Sequence, residues 1–270
     1  MVSLSNTSRV DESRNNKATM KNKHNISDWI LSYPRSGNTF VRLLVANMLY
    51  PEIDCGHREI DYMVPDETGV NINVDKINTY DRGKVIVKSH DPYIYMHSDC
   101  KNVLYIYRDV RDVVVSCYHF RYWVDGYKSL GINIDKMSFD EFFDLFMDGD
   151  ASFGPWVNHV RFWYFKAHRY MSNLLIIKYE DLLDNTFVLS KSIAKLFDID
   201  VTDDIVHSAV EKTRYARQLK LAPAAGVAPK KLGLTGTSGG WKNVLSEEQV
   251  NRIQDGKMGD LLKDIGYTID

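Results

Sequence analysis

Apolar positions along this chain fall into two rhythms. Four short runs, "DWILS" (28–32), "KVIVKS" (84–89), "NVLYIYR" (102–108) and "LLIIKY" (174–179), are continuous and rich in β-branched and aromatic residues, as buried strands are. Between and after them the apolar spacing is helical. Residues 39–50 put Val41, Leu44, Val45 and Met48 on one face, and "DVRDVVVSCYHF" (109–120) starts with Asp109 as a helix cap. "SFDEFFDLFM" (138–147) is amphipathic, with Ser138 and Glu141 spaced for a capping box. "GPWVNHVRFWYFKAHRYM" (154–171) reads as one long aromatic helix, helices follow near 186–197 and 203–213, and one more closes the chain from about Ser246. Residues 222–240, rich in Gly, Ala and Thr, read as a long loop. No internal repeat is present.

Strands alternating with helices predict an α/β fold: a single domain with a central, mostly parallel sheet and helices on both faces. Residues 1–27 are polar and have no apolar run, so they read as a disordered tail and not as a secretory signal, ahead of a domain spanning 28–270. They are partly Ser- and Arg-rich, as a transit peptide is, but Asp11, Glu12 and the lack of an apolar face count against that.

At 270 residues with 44% hydrophobic content, the chain has enough apolar material for a sizeable core. A net charge of −2 argues against a nucleic-acid binder. Three cysteines, Cys55, Cys100 and Cys117, form neither a zinc pattern nor a disulfide framework, which fits a reducing, cytoplasmic compartment. No run has the length of a membrane span, and no metal site is expected.

Polar clusters stand at the carboxyl ends of three predicted strands, where sites in such folds lie. The first is "YPRSGNTF" (33–40), at the point where a strand turns into a helix. Gly37 permits the backbone such a turn needs. The helix N-terminus offers N–H groups to an anion. Ser36, Asn38 and Thr39 can donate to oxyanions, and Arg35 adds a fixed charge. The ATP-binding pattern G-x-x-x-x-G-K-[ST] is absent, so the turn is a phosphate-type cradle of another kind. On this segment alone, an ordinary turn capped by Ser36 is an equal reading. The other two clusters are "KSHDP" (88–92) and Arg108.

"YPRSGNTF" resembles the Y-P-K-S-G-T-T-W phosphosulfate loop of sulfotransferases that use 3′-phosphoadenosine 5′-phosphosulfate (PAPS) and release 3′-phosphoadenosine 5′-phosphate (PAP). "YIYRDVRDVVVSCYHF" (105–120) resembles the family's 3′-phosphate element, and "KSHDP" its K-T-H-x-P. "IIKYEDLL" (176–183) resembles its Y-E-D segment, "EKTRY" (211–215) its K-T-S-F, and "GTSGGWK" (236–242) its G-x-x-G-D-W-K. The matches keep the family's order from about residue 28 to 242.

This resemblance implies a P-loop-like fold, PAPS as sulfonate donor and transfer to a hydroxyl, N-hydroxyl or amine of a small acceptor, with natural products and alkaloids among the candidates. It implies His90 as general base. Arg35 would bind the 5′-phosphosulfate by charge alone, since arginine does not give up its proton. Arg108 and Ser116 would hold the 3′-phosphate. The competing cation Arg111, one turn along the helix, is expected to face solvent, and Ser116 could instead bond back to the carbonyl four residues earlier. Lys88 either touches the sulfonate, orients His90 or is a strand-end charge. Phe40, Tyr179, Thr213 and Tyr215 would form the adenine slot. Some of Tyr118, His119, Phe120, Tyr122 and Trp123 would border the acceptor, while Asp135, Asp140, Glu141, Asp144, Asp148 and Asp150 read as a solvated helix face.

The chain also departs from the family pattern. The loop lysine is Arg35, the loop tryptophan is Phe40, and the family's Arg-Lys pair falls on Leu234 and Thr235. Lys230, Lys231 and the backbone around Gly236 are the candidate replacements for that pair. The dimer signature that follows W-K in the family is not recognisable, so a homodimer is neither implied nor excluded. Two other readings stand beside the small-acceptor enzyme: a carbohydrate sulfotransferase of the same fold, and a non-catalytic protein that binds PAP or another nucleotide.

Overall fold

All four apolar runs pair into one parallel sheet. The computed structural model describes residues 27–57, 59–67, 84–92, 100–120, 132–151, 153–221 and 237–269. Strand β1 (Asp28–Ser32) lies between β2 (Ile86–Ser89) and β3 (Asn102–Tyr107), with β4 (Asn173–Lys178) beside β3, in the order β2-β1-β3-β4. Leu31 is level with Ser89, Ser32 with Ile106, and Tyr107 with Lys178. Four strands therefore end at one rim, and the chain reverses its direction of winding between β1 and β3. That is where such sheets open a crevice.

The sheet is buried on both faces, which explains why the strands read as continuous apolar runs. Trp29, Leu31, Val87, Val103 and Tyr105 point to one core. That core is completed by α3 (Val110–Phe120), α4 (Phe139–Met147), α5 (Trp156–Phe165), α10 (Glu247–Gln254) and α11 (Lys257–Asp264). Ile30, Ile86, Leu104 and Ile106 point to the other, with α1 (Asn38–Leu49), α2 (Ile60–Met63), α6 (Tyr179–Asp184), α7 (Thr186–Leu196) and α8 (Asp203–Thr213). A further helix, α9, runs Tyr215–Leu221. Val41, Leu44 and Val45 are fully buried, as the spacing predicts.

Local chemistry sets the helix ends. Ser138 and Glu141 form the predicted capping box on α4, and Asp109 accepts from the Arg111 amide at the start of α3. The predicted helix over 154–171 is shorter: α5 ends at Phe165 and a 3₁₀ turn, Ala167–Arg169, follows. The closing helix is two helices, because Gly256 breaks the run between α10 and α11. The six acidic residues around α4 are exposed, but Asp140 and Asp144 also tie the helix to α10 through Gln249 (2.8 Å) and Arg252 (2.8 Å).

Residues 1–26 of the predicted tail and residues 222–236 of the predicted loop lie outside the described residues. Among the described residues no helix is long and apolar enough to cross a membrane, and no group of three or more His, Cys, Asp or Glu side chains is placed to hold a metal ion.

Candidate active site

The turn after β1 contains two left-handed residues, Arg35 (φ 67°) and Gly37 (φ 100°). Such a φ costs a non-glycine residue roughly 1–2 kcal/mol, so Arg35 is held there by its surroundings. Gly37 is the N-cap of α1, and no side chain caps that helix end. The first-turn N–H groups and the dipole behind them therefore remain available to an anion. The Ser36 hydroxyl is buried without a partner and is not the cap. A β-carbon at Gly37 would lie 2.3 Å from Cδ2 of Tyr179, the first residue after β4. Only glycine lets that ring close over the turn.

Arg108, at the end of β3, provides a second cationic pole. Its guanidinium donates to the carbonyl oxygens of Arg35 (3.3 Å) and Thr237 (2.9 Å) and lies 4.6 Å from the centroid of the Tyr179 ring. Its Nε is buried without a partner. Arg35 Nε donates to Ser116 Oγ at 3.0 Å, so Ser116 turns toward the cradle and not back along α3. The Arg35 guanidinium also lies 4.1 Å over Phe120. Asp112, one turn after Arg108, accepts from the amides of Gly239 (2.7 Å) and Trp241 (3.1 Å) and fixes the 3₁₀ turn Gly240–Asn243 to α3.

Arg111 overturns the expectation of a solvent-facing cation. It is buried, pairs with Asp109 at 2.7 Å, donates to the Thr268 carbonyl at 3.1 Å and lies 4.2 Å over Trp241. The i,i+2 spacing folds its side chain back on the cap residue, so it clamps the C-terminal segment.

His90 follows β2 and is buried. Its Nδ1 is 2.7 Å from the Ser32 carbonyl oxygen, which can only accept. The proton therefore sits on Nδ1, and Nε2 carries the basic lone pair. Burial, then the Lys88 charge, pushes the imidazole well below its ordinary value. Behind it, His159 on α5 donates from Nε2 to the His90 carbonyl (3.2 Å) and accepts the Tyr105 hydroxyl on Nδ1 (3.0 Å), and burial pushes His159 to about 3. Lys88 is buried and donates to Asp66 Oδ2 at 2.8 Å. Burial lowers its ammonium to about 8, against the opposing pull of Asp66.

One cavity of about 410 Å³ is lined by both poles and by this chemistry: Arg35, Gly37, Asn38, Thr39, Phe40, Lys88, His90, Arg108, Ser116 and Tyr179 all face it. A sulfotransferase domain signature matches residues 25–265 of the chain. The chain belongs to the sulfotransferase family. Among its curated relatives, sulfotransferase 1 family member D1 of Mus musculus is 28% identical over 249 residues, covering 84% of this chain and 80% of that one. Sulfotransferase 4A1 of Homo sapiens is 28% identical over 243 residues, covering 86% and 80%. Among solved structures, mouse sulfotransferase SULT7A1 complexed with PAP superposes with a TM-score of 0.62 at 20% identity, over 89% of this chain and 88% of that one. Retinol dehydratase in a complex with retinol and PAP gives 0.63 at 19%, over 87% and 81%. These two share the fold.

Within this sulfotransferase fold the remaining predicted site residues separate. Asn38 donates from Nδ2 to the Ser32 hydroxyl (3.1 Å), and its Oδ1 is buried without a partner. Thr213 is buried with its hydroxyl on the Ala209 carbonyl (2.7 Å), and neither it nor Tyr215 is among the residues lining the cavity. Lys230, Lys231 and Gly236 lie outside the described residues, as do Tyr122 and Trp123. Of the aromatics expected at the acceptor, Phe120 lines the cavity, Tyr118 packs against Phe139 and Phe142, and His119 is exposed.

Arg42, Asp66 and Asp112 also line the cavity and were not singled out in the sequence. Arg42 and Asp112 were legible in principle, since each lies one helical turn from a motif residue (Asn38 and Arg108). Asp66 was not, because only the fold brings it to Lys88.

Proposed function

We propose that the chain transfers a sulfonate group from PAPS to a hydroxyl, or an N-hydroxyl or amine, of a small acceptor, with His90 as the general base. The observation that carries this reading is the shared cavity: two anion-binding poles lie beside an imidazole whose basic nitrogen is Nε2.

The residues suit a nucleotide with phosphate at both ends. Arg108 Nε, on a residue that lines the cavity, is a buried polar atom without a partner, as a group that meets an oxyanion is, while the unpartnered Ser36 hydroxyl is on a residue outside that lining. Arg35 and the N-terminus of α1 would hold the phosphosulfate end, Arg108 and Ser116 the 3′-phosphate, and Tyr179 with Phe40 the adenine. SULT7A1 and retinol dehydratase, which share the fold, were each solved with PAP. Retinol dehydratase was also solved in complexes with the small molecules retinol and androsterone.

PAPS would supply the sulfonate, whose sulfur would exchange its bond to the 5′-phosphate oxygen for one to the acceptor oxygen or nitrogen. His90 Nε2 takes the acceptor proton, with its ring held by the bond from Nδ1 to Ser32. Arg35 stabilises negative charge on the departing phosphate by its fixed charge, as cationic clamps do in the analogous phosphoryl transfers. Lys88, which lines the same cavity, would offset part of the charge on the sulfonate oxygens.

The test is a thermal shift with PAP followed by radiolabelled sulfonate transfer to an acceptor panel. We expect stabilisation by PAP and transfer to at least one small acceptor. His90→Ala should abolish transfer and leave PAP affinity within about threefold, because the base acts only on the acceptor proton. PAP binding without transfer to any acceptor would favour a nucleotide-binding protein, and substantial turnover in His90→Ala would remove His90 as base.

A further inference from the structure

Lys88 is the penultimate residue of β2, an outer strand of the described sheet, where a lysine would ordinarily reach solvent, yet its side chain is only 4% exposed. The reason lies in the segment Pro65–Glu67. The Lys88 amide donates to the Pro65 carbonyl and the Glu67 amide to the Lys88 carbonyl, each at 2.8 Å, so this segment runs as a parallel bridge along the free edge of β2. The bridge sets Asp66 level with Lys88, and their side chains meet at 2.8 Å on the cavity wall next to His90.

We propose that Asp66 is a positioning residue for the transfer: it holds the Lys88 ammonium charged and fixed on the cavity wall beside His90. The proposal rests on the sulfonate-transfer reading for what Lys88 does, but the ion pair itself does not.

A buried ammonium without a counter-ion gives up its proton, and a buried ion pair that loses one partner leaves an uncompensated charge. Among the described residues, the charged and titratable groups facing Lys88 include Arg42 of α1 and protonated His90, which repel a positive charge there, and Asp61 of α2 and Asp66, which attract it. His90 beside it faces His159 of α5 as well. Of the two acids, Asp66 has the stronger influence and is the one in direct contact, while Asp61 is bound to Arg42 at 2.7 Å. Removing the Asp66 charge should therefore shift Lys88 toward its neutral form at working pH. A neutral amine in that position no longer offsets the negative sulfonate oxygens.

The experiment follows the Lys88 ammonium directly, by 15N-lysine NMR of the nucleotide-free protein across pH, with the signal assigned by Lys88→Met. We expect Asp66→Asn to move the Lys88 midpoint to lower pH and Asp66→Glu to restore most of it. In turnover assays Asp66→Asn should lower kcat tenfold or more, with the alkaline limb of the profile moved down in pH alongside Lys88. PAP affinity should stay within about threefold. In the Lys88→Met background Asp66→Asn should add little, because the two act as one unit. An unmoved Lys88 midpoint in Asp66→Asn would overturn the proposal, and so would a full additional loss in the Lys88→Met background. Failure of the transfer reading shows separately, as wild-type protein that does not bind PAP or does not transfer sulfonate.

Discussion

Tyr179 occupies the space that a side chain on Gly37 would need: its ring carbon Cδ2 would lie 2.3 Å from the added β-carbon. The ring also carries the Arg108 guanidinium 4.6 Å from its centroid. Gly37, Tyr179 and Arg108, from three different strand ends, are thus stacked, and displacing one displaces the next.

Gly37→Ala should therefore damage nucleotide binding as well as stability. Its φ of 100° adds about 1 kcal/mol of backbone strain for any other residue, and the overlap forces the Tyr179 ring off the turn. We expect a loss of PAP affinity of roughly tenfold or more, about 1.4 kcal/mol, and a lower Tm. Gly266→Ala is the control. Its φ is 86°, but an added β-carbon meets nothing within 4 Å, so Tm should fall while PAP affinity holds. Equal effects on affinity from the two variants, by calorimetric titration, would show that strain alone is at work.

Arg35→Lys should keep substantial activity, because the charge remains and the related phosphosulfate loops place lysine there. Arg35→Ala should lose affinity and turnover together. A charge-assisted contact to phosphate contributes ~1.5–3 kcal/mol, so PAP binding should weaken by roughly tenfold to over a hundredfold. Arg35 also donates to Ser116 at 3.0 Å, so the alanine variant loosens both poles. An alanine variant that binds PAP normally would take Arg35 out of the site.

Continuous apolar runs made the strands and the parallel sheet legible in the sequence, since strands buried on both faces carry no alternating signal to misread. Helix starts were legible where a side chain caps them, as at Ser138 and Ser246. Helix ends were less so: nothing in "FWYFKAHRYM" marks the stop at Phe165. The site showed the same division. His90, Arg108 and the cradle sit inside motifs that are local in sequence, and the structure brings them to one cavity. Asp66 is 22 residues from Lys88, and only the bridge along β2 joins them. The fate of Arg111 turned on a side-chain rotation toward Asp109, which helical periodicity does not encode.

Stability should fall with acid in a way that traces to buried histidines. His159 is neutral in the folded protein down to about pH 3, against 6.5 for the ordinary residue. Between those values the unfolded chain binds the extra proton, so stability is complete above 6.5 and is lost as pH falls toward 3. The slope approaches about 1.4 kcal/mol per pH unit for each such residue. His90, shifted in the same direction, adds to it. His159→Gln retains a donor for the His90 carbonyl without a titrating ring. Measured by urea unfolding between pH 7 and about pH 5, the variant should lose less stability than the wild type as pH falls. An identical slope would assign the acid sensitivity elsewhere.

The 3′-phosphate must be held without the family's Arg-Lys pair, which is replaced here by Leu234 and Thr235. A phosphate monoester carries close to two charges, more than Arg108 and Ser116 match by themselves. The turn after residue 236 is tied to the end of β3 and to α3: Arg108 donates to the Thr237 carbonyl (2.9 Å), and Asp112 accepts from Gly239 and Trp241. The Gly239 amide is thereby committed, which leaves Gly240 as a backbone donor among the described residues, while Gly233, Gly236, Lys230 and Lys231, which lie outside them, are the further candidates for a backbone nest and a charge. Our hypothesis is that Asp112 anchors this segment so that it lies over the 3′-phosphate. The Lys230→Ala/Lys231→Ala variant and Asp112→Ala should then both weaken PAP more than they weaken adenosine 5′-phosphosulfate, which lacks that phosphate. Asp112 also pairs with Arg108 at 3.5 Å, so its removal releases cationic charge at the 3′-phosphate pole as well as the anchored turn, and the two act on PAP with opposite sign. An anchor lost weakens PAP, whereas a mere repelling carboxylate removed would tighten it. Tighter PAP binding in Asp112→Ala, or equal effects of the lysine variant on the two nucleotides, would sink the idea.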